Sequence, residues 1–194
     1  PPHPPAPPPT ANYPAGHSSA ASDVYKRQRQ RCPVCRVELL IPDLQGDQQA
    51  LQTILDSRPD VLGHNLETVP RLYQTARCRA GYQRSLQLLA AANRIAPEVP
   101  TKSGLMLGMG ESVEEVIAVM QDLRQVGCAM LTLGQYLQPS RDHLPVDRYV
   151  DPAEFEQLRR SGIELGFNHV EAGPMVRSSY HAAEPFEGDQ DDES

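Results

Sequence analysis

The sequence predicts an α/β protein, a partial TIM-type (β/α) barrel in which short parallel strands alternate with helices. Three observations carry that prediction. Short aliphatic and β-branched runs alternate with stretches whose apolar residues recur at helical spacing, the pattern of βαβ units and a parallel sheet. Each candidate strand is followed at once by polar or glycine-rich residues: Pro42 to Asp47, Asn65 to Thr68, Gly108 to Glu111, and Gly134 to Tyr136. The chain has 194 residues, fewer than the roughly 250 that a complete eightfold barrel uses.

The elements follow in order. Val37-Glu38-Leu39-Leu40-Ile41 is a strand run, and the stretch from Asp47 to Ser57 sets Ala50, Leu51, Ile54 and Leu55 on one helical face before Pro59, whose ring disturbs a helix. Asp60 to His64 is the second strand. Ser85, Leu86, Leu89, Ala90 and Asn93 mark the next helix, and Thr101 to Gly108 the third strand. Ser112 followed by Glu115 is a capping box, Val113, Val116, Ile117, Met120 and Leu123 form the stripe behind it, and Gly127 suits the C-terminal cap. Ala129 to Leu133 is the fourth strand. Asp151-Pro152-Ala153-Glu154 combines an N-cap, a proline at the first helical position and a box partner. Phe155, Leu158 and Leu165 face inward from that helix, and His169 to Ala172 is the last strand. Four units are too few to close a barrel, so the sequence reads as a barrel truncated at its N-terminus, with the missing strands upstream.

Three regions follow from composition: a leader at 1–30, the barrel portion at 31–182 and an acidic tail at 183–194. Eight of the 19 prolines fall in the first 14 residues, and such a segment, disordered or foreign to the frame that follows, buries no core. It also lacks the apolar stretch of a secretory signal. Net charge is -7, but Glu184, Glu187, Asp189, Asp191, Asp192 and Glu193 supply six of those negatives from the last eleven residues. The remainder is near neutral, which argues against nucleic-acid binding. No apolar run approaches the 18 or so residues that a bilayer span needs. Four cysteines, Cys32, Cys35, Cys78 and Cys128, make no disulfide framework in a chain of this size, pointing to a reducing compartment.

In parallel α/β folds the strand-to-helix loops converge on one mouth, and ligands bind there. Asp, Asn and Gly also make ordinary turns, so no single loop is decisive, whereas four together indicate a polar or anionic ligand. Cys32-Pro33-Val34-Cys35 has zinc or redox spacing but lacks a second pair. Cys128 reads as a buried thiol. Glu171 to Ala182 is either glycine-containing surface structure or a loop whose two serines and Arg177 bind a phosphate.

From Val37 to Ala182 the sequence resembles the lipoyl synthases, radical S-adenosylmethionine (SAM) enzymes. The segments that carry the likeness are Ile41 to Asp47, His64 to Tyr73, Lys102 to Glu111, Leu133 to Arg141, and Gly173 to Ala182, whose Arg-Ser-Ser-Tyr-His-Ala ending is the most distinctive. The resemblance implies a barrel of the radical SAM kind and a sulfurtransferase that inserts two sulfur atoms at C6 and C8 of an octanoyl chain held on a lysine. Its implied cofactors are SAM and two [4Fe-4S] clusters, one of them the sulfur source. Its implied partners are an octanoylated lipoyl carrier domain or glycine cleavage H-type protein, and an electron donor such as ferredoxin or flavodoxin. The setting is the bacterial cytoplasm, or the mitochondrial matrix or plastid in a eukaryote.

Residue by residue, Gly104, Met106, Gly108 and Glu111 match the radical SAM pattern GxIxGxxE, whose backbone lies against adenine. Asn65 and Glu67 stand where the family has polar groups near the ribose and methionine parts of SAM. Ser103 in the same segment and Gln135 at the mouth are taken as cofactor-side residues, although neither Gln135 nor Arg141 receives a defined role. Ser179 matches the serine ligand of the auxiliary cluster, with Arg177 and Tyr180 standing beside it. No residue is assigned a catalytic role.

The chain departs from the family pattern in its cysteines. A CxxxxCxxxxxC set and a CxxxCxxC loop belong upstream of the first strand, and neither is present. Ala76-Arg77-Cys78-Arg79 replaces a turn in which proline and glycine are expected. The chain thus reads as the C-terminal two-thirds of such an enzyme, unable to assemble either cluster and inactive by itself. The alternatives are another radical SAM sulfur inserter such as a biotin-synthase relative, against which the serine motif speaks, and a barrel repurposed as a non-catalytic binding module.

Overall fold

The structure, a computed structural model, describes residues 30–31, 36–77 and 80–178. Residues 1–29 of the leader, the acidic tail, Cys32, Cys35, Cys78, Ser179 and Tyr180 lie outside the described residues. Among the described residues five strands form one sheet: β1 (Glu38–Leu40), β2 (Val61–Gly63), β3 (Thr101–Leu107), β4 (Met130–Gln135) and β5 (His169–Gly173). They are hydrogen-bonded in chain order, and every pair is parallel. Five helices join them: α1 (Gln48–Leu55), the short α2 (Tyr73–Ala76), α3 (Tyr82–Ile95), α4 (Val113–Gln125) and α5 (Pro152–Glu164). A parallel sheet with helical crossovers and sequential strand order is the architecture of a partial (β/α) barrel.

The two faces of the sheet separate by the period of two. Leu39, Leu62, Leu105, Leu107, Leu131, Leu133 and Val170 are buried in the hydrophobic core. The alternate positions Lys102, Gly104, Met106, Thr132 and Gly134 take the opposite face. On that face the Lys102 ammonium pairs with Glu38 at 2.9 Å, and its side chain is only 5% exposed. This cation would be costly to bury alone and is matched across the sheet from β1.

The local signals account for most boundaries. Asp47 caps α1 by accepting from Gln49 and Ala50, and Ser112 with Glu115 completes the capping box of α4 in both directions. That helix closes in a Schellman arrangement: the amide of Cys128 donates to Leu123 and that of Gly127 to Arg124. Helix α5 ends with the same pair of bonds from Phe167 and Gly166, a stop the sequence reading passed over.

Three expectations need correction. The buried face of α3 is Ser85, Leu86, Leu88, Leu89, Ala91 and Ala92, wider than a single stripe because both core clusters pack against this helix. Ala90 is only half-buried. Asn93, also half-buried, spends its amide on the Val126 carbonyl at 2.7 Å and the Thr101 hydroxyl at 3.2 Å. Glu154 is paired with Arg148 through two bonds of 2.8 and 2.6 Å, while Asp151 alone caps α5. Strand β4 runs two residues past Leu133, to Gln135, because β3 offers it register partners as far as Leu107.

Candidate functional site

A cavity of about 400 Å3 opens at the C-terminal ends of the strands. Its polar wall consists of Asn65, Glu67, Thr132, Gln135, Arg177 and Ser178, and its apolar wall of Leu40, Leu105, Met106, Leu137 and Val176, with Gly104 and Gly134 between them.

The polar wall starts at the end of β2. His64 is 1% exposed, its Nδ1 lies 2.9 Å from the Ile41 carbonyl, and its Nε2 lies 2.9 Å from the Ser85 hydroxyl. A carbonyl only accepts, so Nδ1 carries the proton and Nε2 accepts from Ser85. Burial pushes the pKa of this imidazole down, which favours the same neutral form. The ring ties β2 to β1 and α3 and so fixes the start of the loop that carries Asn65 and Glu67.

Glu67 is held in a left-handed conformation, φ 68°, uncommon for a residue with a side chain. Its amide donates to the Gly104 carbonyl at 2.9 Å and its carbonyl accepts from the Met106 amide at 2.8 Å, so β3 dictates its backbone. Burial pushes its carboxyl pKa up, against the hydrogen bond from Asn65 and the attraction of Arg77. A partly desolvated carboxylate beside an amide is suited to accept hydrogen bonds from hydroxyl groups of a ligand.

Strand β3 supplies the floor. A Cβ at Gly104 would stand 2.8 Å from the Thr132 hydroxyl and 2.9 Å from Oδ1 of Asn65, closer than side-chain carbons approach in practice. Glycine here leaves backbone bare for a flat group to lie on. Beyond the strand the chain turns at Gly108, φ 98°. The Glu111 carboxylate accepts from the amides of Gly108 at 2.5 Å and Met109 at 2.9 Å. Arg71 binds Glu115 through two nitrogens and the Gly110 carbonyl at 2.7 Å, fastening the turn to the loop after β2. Its guanidinium holds Glu115 down to about 2.

The far side is built by the loop after β4. Gln135 donates to the carbonyls of Tyr136 at 3.0 Å and Arg148 at 3.1 Å, and accepts from the Val150 amide at 2.9 Å. Its amide is thus committed to holding that loop while its side forms part of the wall. Arg177 uses one nitrogen on the carbonyls of Pro174 and Val176 and stands exposed at the rim.

Of the expected cofactor-side residues, the cavity wall gathers Asn65, Glu67, Gly104, Met106 and Gln135, with Arg177 joining them. Ser103, Gly108 and Glu111 are set behind the wall. Ser103 accepts from the Leu66 amide at 3.3 Å, and the other two shape the turn. Ser179 and Tyr180 lie outside the described residues, and Arg141 is exposed in the loop after β4. Sequence reading placed Gly134 at the mouth but missed Thr132, Leu40, Leu105, Leu137 and Val176 as wall residues. Alternation along β4 from Gln135's neighbour Gly134 back to Thr132 was the available signal. Among the described residues no group of three His, Cys, Asp or Glu could hold a metal ion, and Cys128 is buried, its thiol pushed up to about 12 by burial. No helix among them is long and apolar enough to cross a membrane.

No protein-family model matches the chain. Curated relatives do. A lipoyl synthase of Acidithiobacillus ferrooxidans is 56% identical over 166 residues, 85% of this chain and 52% of the relative. That of Citrifermentans bemidjiense is 55% identical over 171 residues, 88% of this chain and 58% of the relative. That of Rubrobacter xylanophilus is 49% identical over 174 residues, 90% and 54% of the two chains. Over the matched residues the chain is similar to the lipoyl synthases. It spans about half the length of the curated relatives it matches. Four of the five segments that carry the lipoyl synthase likeness contribute to the cavity wall: Asn65 and Glu67 come from one, Gly104 and Met106 from the next, Gln135 and Leu137 from a third, Val176 to Ser178 from the last.

Solved structures agree on the fold. A domain of pyruvate-formate lyase-activating enzyme from Bacteroides vulgatus matches with a TM-score of 0.59 at 13% identity, over 84% of this chain and 96% of that one. A methylornithine synthase matches with a TM-score of 0.60 at 13% identity, over 93% and 59%.

Proposed function

We propose that this chain supplies the SAM-facing part of a lipoyl synthase, an enzyme that inserts sulfur at C6 and C8 of an octanoyl chain held on a lysine of a carrier domain. The observation that carries the reading is the gathering of Asn65, Glu67, Gly104 and Met106, from two separate motifs, around one cavity. The donor set fits SAM. The bare backbone at Gly104 accommodates a flat base, the Glu67 carboxylate accepts from ribose hydroxyls, and Arg177 at the rim suits a carboxylate. SAM, when bound, supplies the radical chemistry that opens unactivated C–H bonds, and this chain's residues place it and exclude water.

Iron–sulfur clusters do not fit the described residues, which contain no group of three His, Cys, Asp or Glu able to hold one. We assign Ser179 as an oxygen ligand of an auxiliary [4Fe-4S] cluster, with Arg177 and Tyr180 beside it, on the family motif alone. A second [4Fe-4S] cluster would take its ligands from outside residues 36–178. The proposed partners are an octanoylated carrier domain or glycine cleavage H-type protein and a reductant of the ferredoxin or flavodoxin kind, and the proposed setting is the cytoplasm, as suits bacterial relatives.

The test is a chimera. The portion of the Acidithiobacillus ferrooxidans relative that precedes its counterpart of Val37 is joined at Val37, and the product is reconstituted anaerobically with iron and sulfide. Given SAM, reductant and an octanoylated carrier domain, the chimera is expected to yield 5'-deoxyadenosine and lipoylated carrier, whereas the 194-residue chain yields neither. A well-folded chimera with both clusters and no turnover would overturn the proposal.

A further inference from the structure

The loop that carries Asn65 and Glu67 is held from two sides. Its amides face the sheet: Leu66 donates to the Ser103 hydroxyl at 3.3 Å and Glu67 to the Gly104 carbonyl at 2.9 Å. Its carbonyls face α2. Nη1 of Arg77 donates to the carbonyls of Asn65 at 2.9 Å and Leu66 at 3.2 Å. The Tyr73 hydroxyl donates to Leu66 at 2.7 Å, and the Arg77 guanidinium lies 5.9 Å from the centre of the Tyr73 ring. Neither Arg77 nor Tyr73 lines the cavity.

A left-handed conformation at a residue with a side chain persists only where its surroundings over-determine it. Here β3 fixes one side of the peptide run and the Arg77–Tyr73 pair the other. We propose that Arg77, assisted by Tyr73, is a positioning residue of the cavity, holding the Asn65 and Leu66 carbonyls so that the Asn65 and Glu67 side chains stand on its wall. The pair also sits close enough for the Arg77 charge to act on Glu67. Around Glu67 the ionisable groups are Tyr73 from α2, Arg77 just after it, the neutral His64 at the end of β2 and Arg177 on the loop after β5. Strands β3 and β4 add no charged side chain to the wall. Removing Arg77 therefore removes the cation on the side of the loop away from the cavity, and the Glu67 carboxyl then titrates at higher pH. The binding arm of the test rests on the SAM reading; the other two do not.

The test uses the full chain and the variants Arg77→Gln, Arg77→Lys and Tyr73→Phe. Three quantities are read: amide hydrogen exchange at Glu67, the midpoint of the Glu67 carboxyl titration by carbon-detected NMR, and calorimetric affinity for S-adenosylhomocysteine. Arg77→Gln is expected to speed exchange at least tenfold, raise the midpoint and weaken binding tenfold or more. Arg77→Lys restores the midpoint, because the charge returns, but only part of the protection, because the two-carbonyl geometry does not. Tyr73→Phe speeds exchange and leaves the midpoint nearly in place, and it tests the clamp even where Arg77→Gln fails to fold. Unchanged exchange in both Arg77→Gln and Tyr73→Phe overturns the proposal. If the unaltered chain does not bind S-adenosylhomocysteine while exchange and midpoint shift as stated, the SAM reading falls and the positioning role stands.

Discussion

Gly104→Ala is the sharpest single perturbation the structure offers. The new methyl would meet the Thr132 hydroxyl at 2.8 Å and Oδ1 of Asn65 at 2.9 Å, both on short side chains with little room to give. Thr132 sits in the middle of β4, and Asn65 is fixed through the backbone bonds of its loop. Forcing a methyl group into such a place costs roughly 1–3 kcal/mol, which for a chain of this size lowers the melting temperature by about 2–4 °C per kcal/mol. The methyl also occupies the floor where a flat group would lie, so binding of S-adenosylhomocysteine should fall by more than the stability does. Adding Thr132→Ala removes the closer clash and is expected to recover most of the thermal stability without recovering binding. Melting curves and calorimetric titration of the two variants decide the matter. If Gly104→Ala melts like the parent and binds as well, the close approach at this position has no consequence and the reasoning fails.

Lys102→Met strands the Glu38 carboxylate in the barrel interior and should cost about 3 kcal/mol in denaturant unfolding, most of it regained when Glu38→Gln is added. Gln135→Ala deletes three hydrogen bonds to the loop after β4; the loss should be roughly 2 kcal/mol, with exchange at the Val150 amide accelerated first. The Arg71–Glu115 pair contributes only while Glu115 is ionised. Its carboxyl is held down to about 2 by the Arg71 hydrogen bonds, so the contribution is complete above the ordinary carboxylate range and is lost as pH falls toward 2. Arg71→Ala should therefore melt below the parent at neutral pH, and the gap should narrow in acid to what the Gly110 carbonyl bond contributes; a gap that does not narrow contradicts the assignment.

Much of this fold was legible because its signals are local. Ser112 and Glu115 specify a capping box whatever lies around them, and the aliphatic runs before Pro42, His64, Gly108 and Gly134 mark strands by composition. What depended on the rest of the chain was harder to read. Ser103 stands next to Gly104 in sequence, yet the period of two sends its hydroxyl to the other side of β3, where it caps Leu66. Glu111 matches the adenine motif, but its carboxylate turns back onto the amides of Gly108 and Met109. The task of Gln135 was invisible because its partners, Arg148 and Val150, lie across a long loop with no periodicity. Glu154 forms half of a capping pattern in sequence and is claimed by Arg148 in space. The wall itself emerged only when motifs tens of residues apart were placed on one sheet.

The central claim is that the cavity at the strand ends receives SAM, and calorimetric titration of the unaltered chain with S-adenosylhomocysteine tests it most directly. The account predicts one saturable site whose affinity drops at least tenfold in Glu67→Gln. Absence of binding, or binding that Glu67→Gln leaves untouched, would contradict it.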